Sequence, residues 1–401
     1  MTDQKTSNKT DIENLFSSIK KIDLGKSIDN TIGEFPPIKR PFLFLNVQEY
    51  YRQIENNSKV LSSFINENTS SNIVIILKLS LILIFYSTKP DHSIVHDSVE
   101  LSKKFKKDKL VNGVLRNILR NKEKIKKDYQ NFLLPRPFVK IIEKTFLDKN
   151  IQKYIAQSFF QIPQDYQICL KKKKGAIYDD RVFYLNKNLE KDCFVQDIGN
   201  FEIIKSTYKI FDNKKILDVC AAPGGKSILL NSLGFEVTAL DKSQEQINKM
   251  EENLKRLHLK FPTIKINFLN FNEGNKYSSI LLDAPCSSLG TFRRNPDVIN
   301  KINTKSLLAK QNLQIQLANK ALKILNNGGF LLYIVCSFHE IETIEVIDKL
   351  LQKHKNLSVV ELKSDKMIKN KYGYFINPKE FETLGGSDIF FIAMLEKNKC
   401  L

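Results

Sequence analysis

The stretch Lys215-Ile216-Leu217-Asp218-Val219-Cys220-Ala221-Ala222-Pro223-Gly224-Gly225-Lys226-Ser227 constrains this chain more than any other. Ile216 to Val219 is a short apolar run that reads as a buried strand. The chain then turns through small residues, a proline and two glycines, and enters the apolar pattern Ile228, Leu229, Leu230, Leu233. That order is strand, tight loop, helix. Gly224 and Gly225 lack a Cβ, so a ligand can lie against the backbone there. The helix that follows points free N–H groups and its positive dipole end at that ligand. A nucleotide-like cofactor with a carboxylate or phosphate suits such a place. Two familiar loops are excluded. A phosphate-binding P-loop needs a glycine where Cys220 stands, and G-x-G-x-x-G is absent. Because an ordinary strand–helix turn can also carry two glycines, the residues downstream decide the matter.

Val237 to Leu240 reads as a second strand ending on Asp241, an acid placed to accept hydrogen bonds from ribose hydroxyls. A helix over Glu245–Leu257 and a third strand over Lys265–Leu269 follow. A fourth strand, Ser279–Leu282, runs into Asp283-Ala284-Pro285-Cys286-Ser287, and a fifth, Phe330–Val335, into Cys336-Ser337. Alternating strands and helices imply a mostly parallel, doubly wound α/β sheet with ligands beyond the carboxyl ends of its strands. Asp241, Asp283, Cys286 and Cys336 all fall at that edge. One cysteine is most often an inert buried residue, but two, each directly after a buried strand at the ligand edge, suggest reactive thiols. No C-x-x-C spacing points to a metal.

Cys-Ala-Ala-Pro-Gly-Gly-Lys, Asp-Ala-Pro-Cys-Ser and Tyr-Ile-Val-Cys-Ser, in this order over residues 215–345, resemble the RNA cytosine-carbon-5 methyltransferases, and Arg293-Arg294-Asn295-Pro296-Asp297 fits them too. Within that family the bacterial enzymes acting on 16S ribosomal RNA are the nearest type. The resemblance implies a Rossmann-like class I methyltransferase domain and S-adenosylmethionine as cofactor. It implies cofactor contacts from Cys220, Ala221, Ala222, Pro223, Gly224, Gly225, Lys226, Asp241, Asp283 and the residue ending the third strand. That residue is usually acidic in the family and is Asn270 here. An amide oxygen still accepts a hydrogen bond but without charge, so weaker cofactor binding is expected.

The implied chemistry explains two cysteines. Carbon 5 of cytosine is a poor nucleophile. A thiolate adding at carbon 6 turns the ring into an enamine whose carbon 5 can attack a methyl group, after which a base removes the carbon-5 proton and the thiol leaves. The family assigns the attack to the fifth-strand cysteine, Cys336, and product release to Cys286. The residues alone place both thiols at one edge without saying which attacks. Asp283 is a candidate acid near ring nitrogen 3.

The 401 residues carry 63 Lys and Arg against 44 Asp and Glu, a net charge of +19 that suits a polyanionic partner such as RNA. The six cysteines show no disulfide framework, which suggests a reducing, cytoplasmic setting. Residues 1–38 are polar and read as a partly disordered leader with a short helix near Ile12–Ile19. Residues 39–135 read as an all-helical domain. Its apolar run Ile73–Tyr86 is too short for a membrane span, and Ser93–Lys104 and Leu110–Leu119 have helical spacing. His-Ser-Ile-Val-His-Asp and Val-Asn-Gly-Val-Leu-Arg-Asn, within 73–120, resemble a NusB-like RNA-binding domain. His92 and His96 read as surface or packing residues. Leu134-Pro135-Arg136-Pro137 marks a boundary. Residues 136–200 read as a short mixed segment with a helix over Lys140–Phe160, strands near 167–170 and 182–185, and the run Lys171–Lys174, which could track phosphates or simply be solvated. In the family this segment positions RNA, though its Leu-Arg-Val-Asn signature is missing here. Residues 201–401 form the methyltransferase domain, with a helix over Thr304–Leu325 capped by Thr304 and ended by Asn327-Gly328-Gly329. Closing strands are expected at Ser358–Leu362 and Asp388–Leu395. A monomer acting on ribosomal RNA is the leading expectation. The alternatives are the same chemistry on transfer RNA, a small-molecule methyltransferase, or a non-catalytic RNA-binding protein with a vestigial cofactor pocket.

Overall fold

The computed structural model describes residues 10–129, 133–186, 188–211, 214–272 and 277–399, and they divide into two units, 1–140 with 294–301, and 141–293 with 302–401. The division falls inside the helix Arg136–Thr145, a few residues past the Pro-rich boundary.

In the first unit the described elements are helical. The helix Ser71–Tyr86 is its centre, with Ile73, Ile76, Leu77, Leu79, Leu81 and Ile82 fully buried. A helix that is apolar all round must be covered on every side. Here the covering helices include Asp11–Asp23, Arg40–Arg52 and Asp91–Lys103. Its two buried polar residues are satisfied: Lys78 Nζ donates to Ser58 Oγ at 2.8 Å, and Ser80 and Ser98 share a hydrogen bond of 2.8 Å. The segment expected as a leader is part of this unit from residue 10 onward, while residues 1–9 lie outside the described residues. The expected short helix runs Asp11–Asp23, begins with a capping box between Thr10 and Glu13, and buries Ile12, Leu15, Ile19 and Ile22. A polar composition hid a complete apolar stripe. His92 and His96 are exposed. The segment 294–301 belongs to this unit too: Gln48 donates to the Arg294 carbonyl at 2.6 Å and Lys301 to the Lys26 carbonyl at 3.0 Å.

The second unit opens with a three-stranded antiparallel sheet of β1 (Tyr166–Cys169), β2 (Val182–Tyr184) and β3 (Cys193–Val195), in the order β2-β1-β3. The helix expected over Lys140–Phe160 is two helices, Arg136–Thr145 and Lys149–Ser158, the second capped by Asp148. Of the lysine run, Lys172 pairs with Asp180, and Lys173 with Glu190 and Asp192, so half of that charge is matched locally. The register of β1 on β3 sets Cys169 opposite Cys193, and the two are joined in a disulfide. This link departs from the expectation of no disulfide framework: strand pairing supplies a neighbour that the sequence separation of 24 does not advertise.

The main sheet contains β4 (Lys215–Val219), β5 (Glu236–Asp241), β6 (Thr263–Lys265), β7 (Tyr277–Asp283), β8 (Leu325–Val335), β9 (Leu357–Val359), β10 (Met367–Asn370), β11 (Gly373–Ile376) and β12 (Phe391–Lys397). Its order is β10-β11-β12-β8-β7-β4-β5-β6, with β9 also on β12. The pairs from β6 through β8 are parallel, and β12 is antiparallel to β8. The chain winds away from β4 in both directions, so the switch point lies beside β4, where open α/β sheets bind ligands at their carboxyl ends. Three expectations shift. The third strand is Thr263–Lys265, which shares only Lys265 with the expected span, and residues 268–270 form a 3-10 turn instead. The long helix Thr304–Ile324 is capped by Asn303 and passes at Leu325 directly into β8, so Asn327-Gly328-Gly329 lies inside the strand. The hairpin β10–β11 was not expected. Among the described residues no helix is long and apolar enough to cross a membrane.

Candidate active site

β4 ends on the loop Cys220–Gly224, and the helix Gly225–Ser232 starts at its far side. Gly224 sits at φ +95°, a left-handed conformation that a side chain disfavours, and it is the residue that turns the chain into the helix. Beside the loop lies a cavity of about 310 Å³. Of the expected residues, Ala221, Ala222, Pro223, Gly225, Lys226, Asp283 and Cys336 line it. Cys220, Gly224 and Cys286 lie in the loops after β4 and β7 but do not line it. Burial together with the charges of Asp241, Asp283 and Asp218 pushes the Cys220 thiol up to about 12, so it stays protonated. Asp241 is held at the end of β5 by the backbone N–H groups of Ala222 at 3.2 Å and Ser243 at 2.8 Å. Asn270 is exposed at the end of its 3-10 turn, and neither it nor Asp241 lines the cavity. A larger hollow of about 790 Å³ opens at the start of β4 and β5, around Lys215, Glu236 and Pro262, and holds no thiol or buried carboxylate.

Asp218, in the middle of β4, is a cavity residue that the sequence reading passed over. Its signal was visible, since an acid interrupts an otherwise apolar strand. It is buried, and Oδ2 accepts a hydrogen bond of 2.5 Å from the Ser227 hydroxyl, while Oδ1 has no hydrogen-bond partner among the described residues. Burial pushes its carboxyl up to about 7, against the pull of Ser227 and Lys226. An orphaned buried oxygen calls for a donor, and an ammonium group in the cavity would supply one. Phe194, Asp197, Asp388 and Phe390 also line the cavity; the sequence placed them in the lead-in to the domain and in its closing strand but not at a site.

Lys226, nearly buried, donates to Asp283 Oδ2 at 2.6 Å and stands 5.7 Å from the centre of the Phe390 ring. At the ends of β7 and β8 the sulfurs of Cys286 and Cys336 are 3.3 Å apart and unbonded. The contact with Cys336, then burial, then the nearby charge of Glu342 push the Cys286 thiol well above its ordinary value. The loop beyond Cys286 is pinned by backbone bonds, with Gly290 N–H donating to the Cys336 carbonyl at 2.9 Å and Ile389 N–H to the Gly290 carbonyl at 3.0 Å. A Cβ on Gly290 would come within 1.8 Å of the Ile389 carbonyl oxygen, so only glycine lets these backbones meet. Elsewhere Cys169, Glu190 and Cys193 bring donor atoms within 4.8 Å of one another, but the two sulfurs are bonded to each other.

The chain matches two families, the one described as 16S rRNA methyltransferase RsmB/F over residues 206–396 and the NusB family over residues 6–120. It is 30% identical over 306 residues to the ribosomal RNA small subunit methyltransferase B of Shewanella oneidensis, covering 67% of this chain and 71% of that protein. The probable ribosomal RNA small subunit methyltransferase B of Coxiella burnetii is 27% identical over 354 residues, 78% of this chain and 81% of that one. Among solved structures, the crystal structure of PH0851 superposes with a TM-score of 0.71 at 17% identity, covering 96% of this chain and 98% of that chain, a likeness of fold.

Proposed function

The chain belongs to the RsmB/F family of 16S rRNA methyltransferases, with a NusB-family region ahead of a Rossmann-like methyltransferase domain, and from that premise we propose that it methylates carbon 5 of a cytosine in small-subunit ribosomal RNA through a covalent bond between Cys336 and ring carbon 6. The cofactor is S-adenosylmethionine, which supplies the electrophilic methyl group. The residues around the cavity suit it: the helix start at Gly225 and Lys226 lines it, Asp218 offers its unpartnered oxygen to the amino-acid ammonium, and Asp241, outside the lining at the end of β5, is the acid for the ribose.

The 3.3 Å separation of Cys286 and Cys336 carries the reading. Two thiols that close share a proton more readily than they lose two, because a second negative sulfur would face the first in a partly buried site. The family assigns the attack to Cys336, and the Cys286 thiol, pushed up by its contact with Cys336 and by burial, keeps the shared proton. Cys336 sulfur bonds to carbon 6 and the ring electrons move to carbon 5. Asp283, which accepts from Lys226 at 2.6 Å, passes a proton from that ammonium to ring nitrogen 3 as negative charge builds there. Once Cys336 is bonded to carbon, Cys286 no longer faces a negative sulfur and gives up its proton more easily. Carbon 5 takes the methyl group, Cys286 gives its own proton to water and as a thiolate takes the carbon-5 proton, the carbon 5–carbon 6 double bond re-forms, and Cys336 leaves as a thiolate.

The test is methyl transfer from labelled cofactor to unmodified small-subunit RNA by the intact protein, Cys336→Ala and Cys286→Ala. Label on cytosine, no product from Cys336→Ala and a trapped protein–RNA adduct in Cys286→Ala are the expected results. Label on transfer RNA alone overturns the substrate. RNA binding without label on any RNA overturns the chemistry.

A further inference from the structure

A fully buried carboxylate stands behind the two thiols and has no part in the steps above. Glu342 ends the 3-10 turn Glu340–Glu342 that follows β8. Its Oε1 accepts from the backbone N–H of Ser287 at 2.7 Å and from the Gln314 amide at 3.3 Å. Its Oε2 accepts from the hydroxyls of Ser287 at 2.5 Å and Ser337 at 2.7 Å. Ser287 directly follows Cys286, and Ser337 directly follows Cys336. One side chain therefore grips the residue after each thiol. The anchor is itself fixed, because the Tyr333 hydroxyl donates to the Glu342 carbonyl at 2.8 Å. Gln314 also donates to the Pro285 carbonyl at 3.0 Å, next to Cys286 on its other side.

The chemistry of the donors says why an acid stands here. A buried charge without donors is costly, and Glu342 meets four donors, none of them a cation. Hydrogen bonds to an ionised acceptor are shorter and stronger than neutral ones, as at the two hydroxyls. β7 and β8 are adjacent parallel strands, so their backbones are about 4.8 Å apart. Beyond the strand ends nothing in a parallel ladder holds two loops together, and the sulfurs sit closer than the strands do.

We propose that Glu342 is a positioning residue that clamps the loops of Cys286 and Cys336 in one register, so that both sulfurs address the same base; this rests on the two-thiol reading above. Misplacement of a reacting group by about 1 Å costs on the order of a hundredfold in rate. Glutamine keeps the size and one acceptor oxygen but turns an N–H2 group toward the two hydroxyls, which loosens the clamp without emptying the site.

The experiment compares the full-length protein with Glu342→Gln and Ser337→Ala, the second removing one donor and leaving the carboxylate. Phenylarsine oxide, which bridges two neighbouring thiols, reads the spacing without RNA, with Cys286→Ala as the blank. Thermal melting and cofactor binding report the fold. Melting within about 5 °C of the intact protein and unchanged cofactor binding are expected. Arsenical capture falls at least about tenfold in Glu342→Gln and by a smaller factor in Ser337→Ala. Turnover falls about a hundredfold in Glu342→Gln, with KM for RNA changed less than about threefold. Folded variants that capture the arsenical and turn over like the intact protein overturn the clamp. Lost capture in the variants, in a protein that methylates no RNA, keeps the clamp and removes the two-thiol chemistry. If Glu342→Gln does not fold, Ser337→Ala with capture and turnover equal to the intact protein still overturns it.

Discussion

The molecule holds two cysteine pairs, on two sheets, and they have opposite fates. Cys169 and Cys193 lie inside paired antiparallel strands, fully buried, and are bonded. Cys286 and Cys336 lie just past the ends of parallel strands, partly exposed, and are 3.3 Å apart without a bond. The backbone makes the difference. Within an antiparallel ladder, directly opposite residues point to the same side and their sulfurs meet by register alone. Past the ends of parallel strands no ladder sets the side chains, so their approach depends on loop contacts such as Gly290 to Cys336 and the carboxylate of Glu342. The first pair closes a structural link, whereas the second leaves two thiols free to do chemistry.

The largest effect should come from breaking the pair proposed to react. Cys336→Ala should lower methyl transfer by at least about a thousandfold while leaving melting and cofactor binding near those of the intact protein. Cys286→Ala should show a slow band of protein joined to RNA on a denaturing gel. If both variants lose activity equally and neither traps RNA, the two sulfurs do not divide the work.

The structural pair should answer in stability instead. The loop it closes spans 24 residues, for which cross-linking of the unfolded chain is worth about 3 kcal/mol. Cys169→Ser should lose about that much in denaturant melts under oxidising conditions and keep its methyl transfer where folded. With a strong reductant present, the two proteins should melt together. A stability difference that persists under reduction would show that packing of the buried sulfur, not the link, carries the effect.

The same division between ladder and loop governs how much was legible in the sequence. Strands β4, β5, β7 and β8 follow from apolar runs with the correct neighbours, because burial on both faces of a parallel sheet writes itself as Ile, Leu and Val. The placement of Asp283, Cys286 and Cys336 at one edge follows from those strands, as does the Gly-Gly turn beside the cavity. The Cys169–Cys193 link did not follow, since register between distant strands is set by turns and packing rather than by either strand's own residues. Nor did the role of the first helix: Ile12, Leu15, Ile19 and Ile22 are one residue per turn among Asn, Ser and Lys, and composition concealed them. Asp218 was legible in principle as an acid in a buried strand, but only the structure shows which of its oxygens lacks a partner.

Asp218 is the buried member of a second contrast, among the polar groups proposed to meet the cofactor. Its carboxyl is raised by burial to about 7. The folded protein therefore holds a proton there that the unfolded chain releases near the ordinary carboxylate value. Stability from this group is present at low pH and declines as pH rises from about 4 through about 7, since the folded state binds more protons in that window. Cofactor binding should run the other way. If the ammonium group of S-adenosylmethionine pairs with ionised Asp218, affinity should rise about tenfold per pH unit approaching 7 and level off above it. Asp218→Asn should flatten both profiles. Calorimetric titration with the cofactor from pH 5.5 to 8.5 checks this, and a flat profile in the intact protein would remove Asp218 from the ammonium site.

Asn270 is the exposed member of that contrast, and its effect should be the smallest. It stands at the end of a 3-10 turn after β6 with its side chain open to water. If it receives the adenine amino group, Asn270→Asp replaces a neutral acceptor by a charged one. A hydrogen bond to a charged group exceeds a neutral one by about 1 kcal/mol, and water screens part of that here. Cofactor affinity should tighten by about threefold, with no change in its pH profile between 6 and 8, because an exposed aspartate is already ionised there. The flat profile is what separates the two sites: a pH-dependent gain in Asn270→Asp would mean that the new charge acts on Asp218 or Asp241 rather than on the adenine. A loss of affinity would mean that the base lies elsewhere than against this turn.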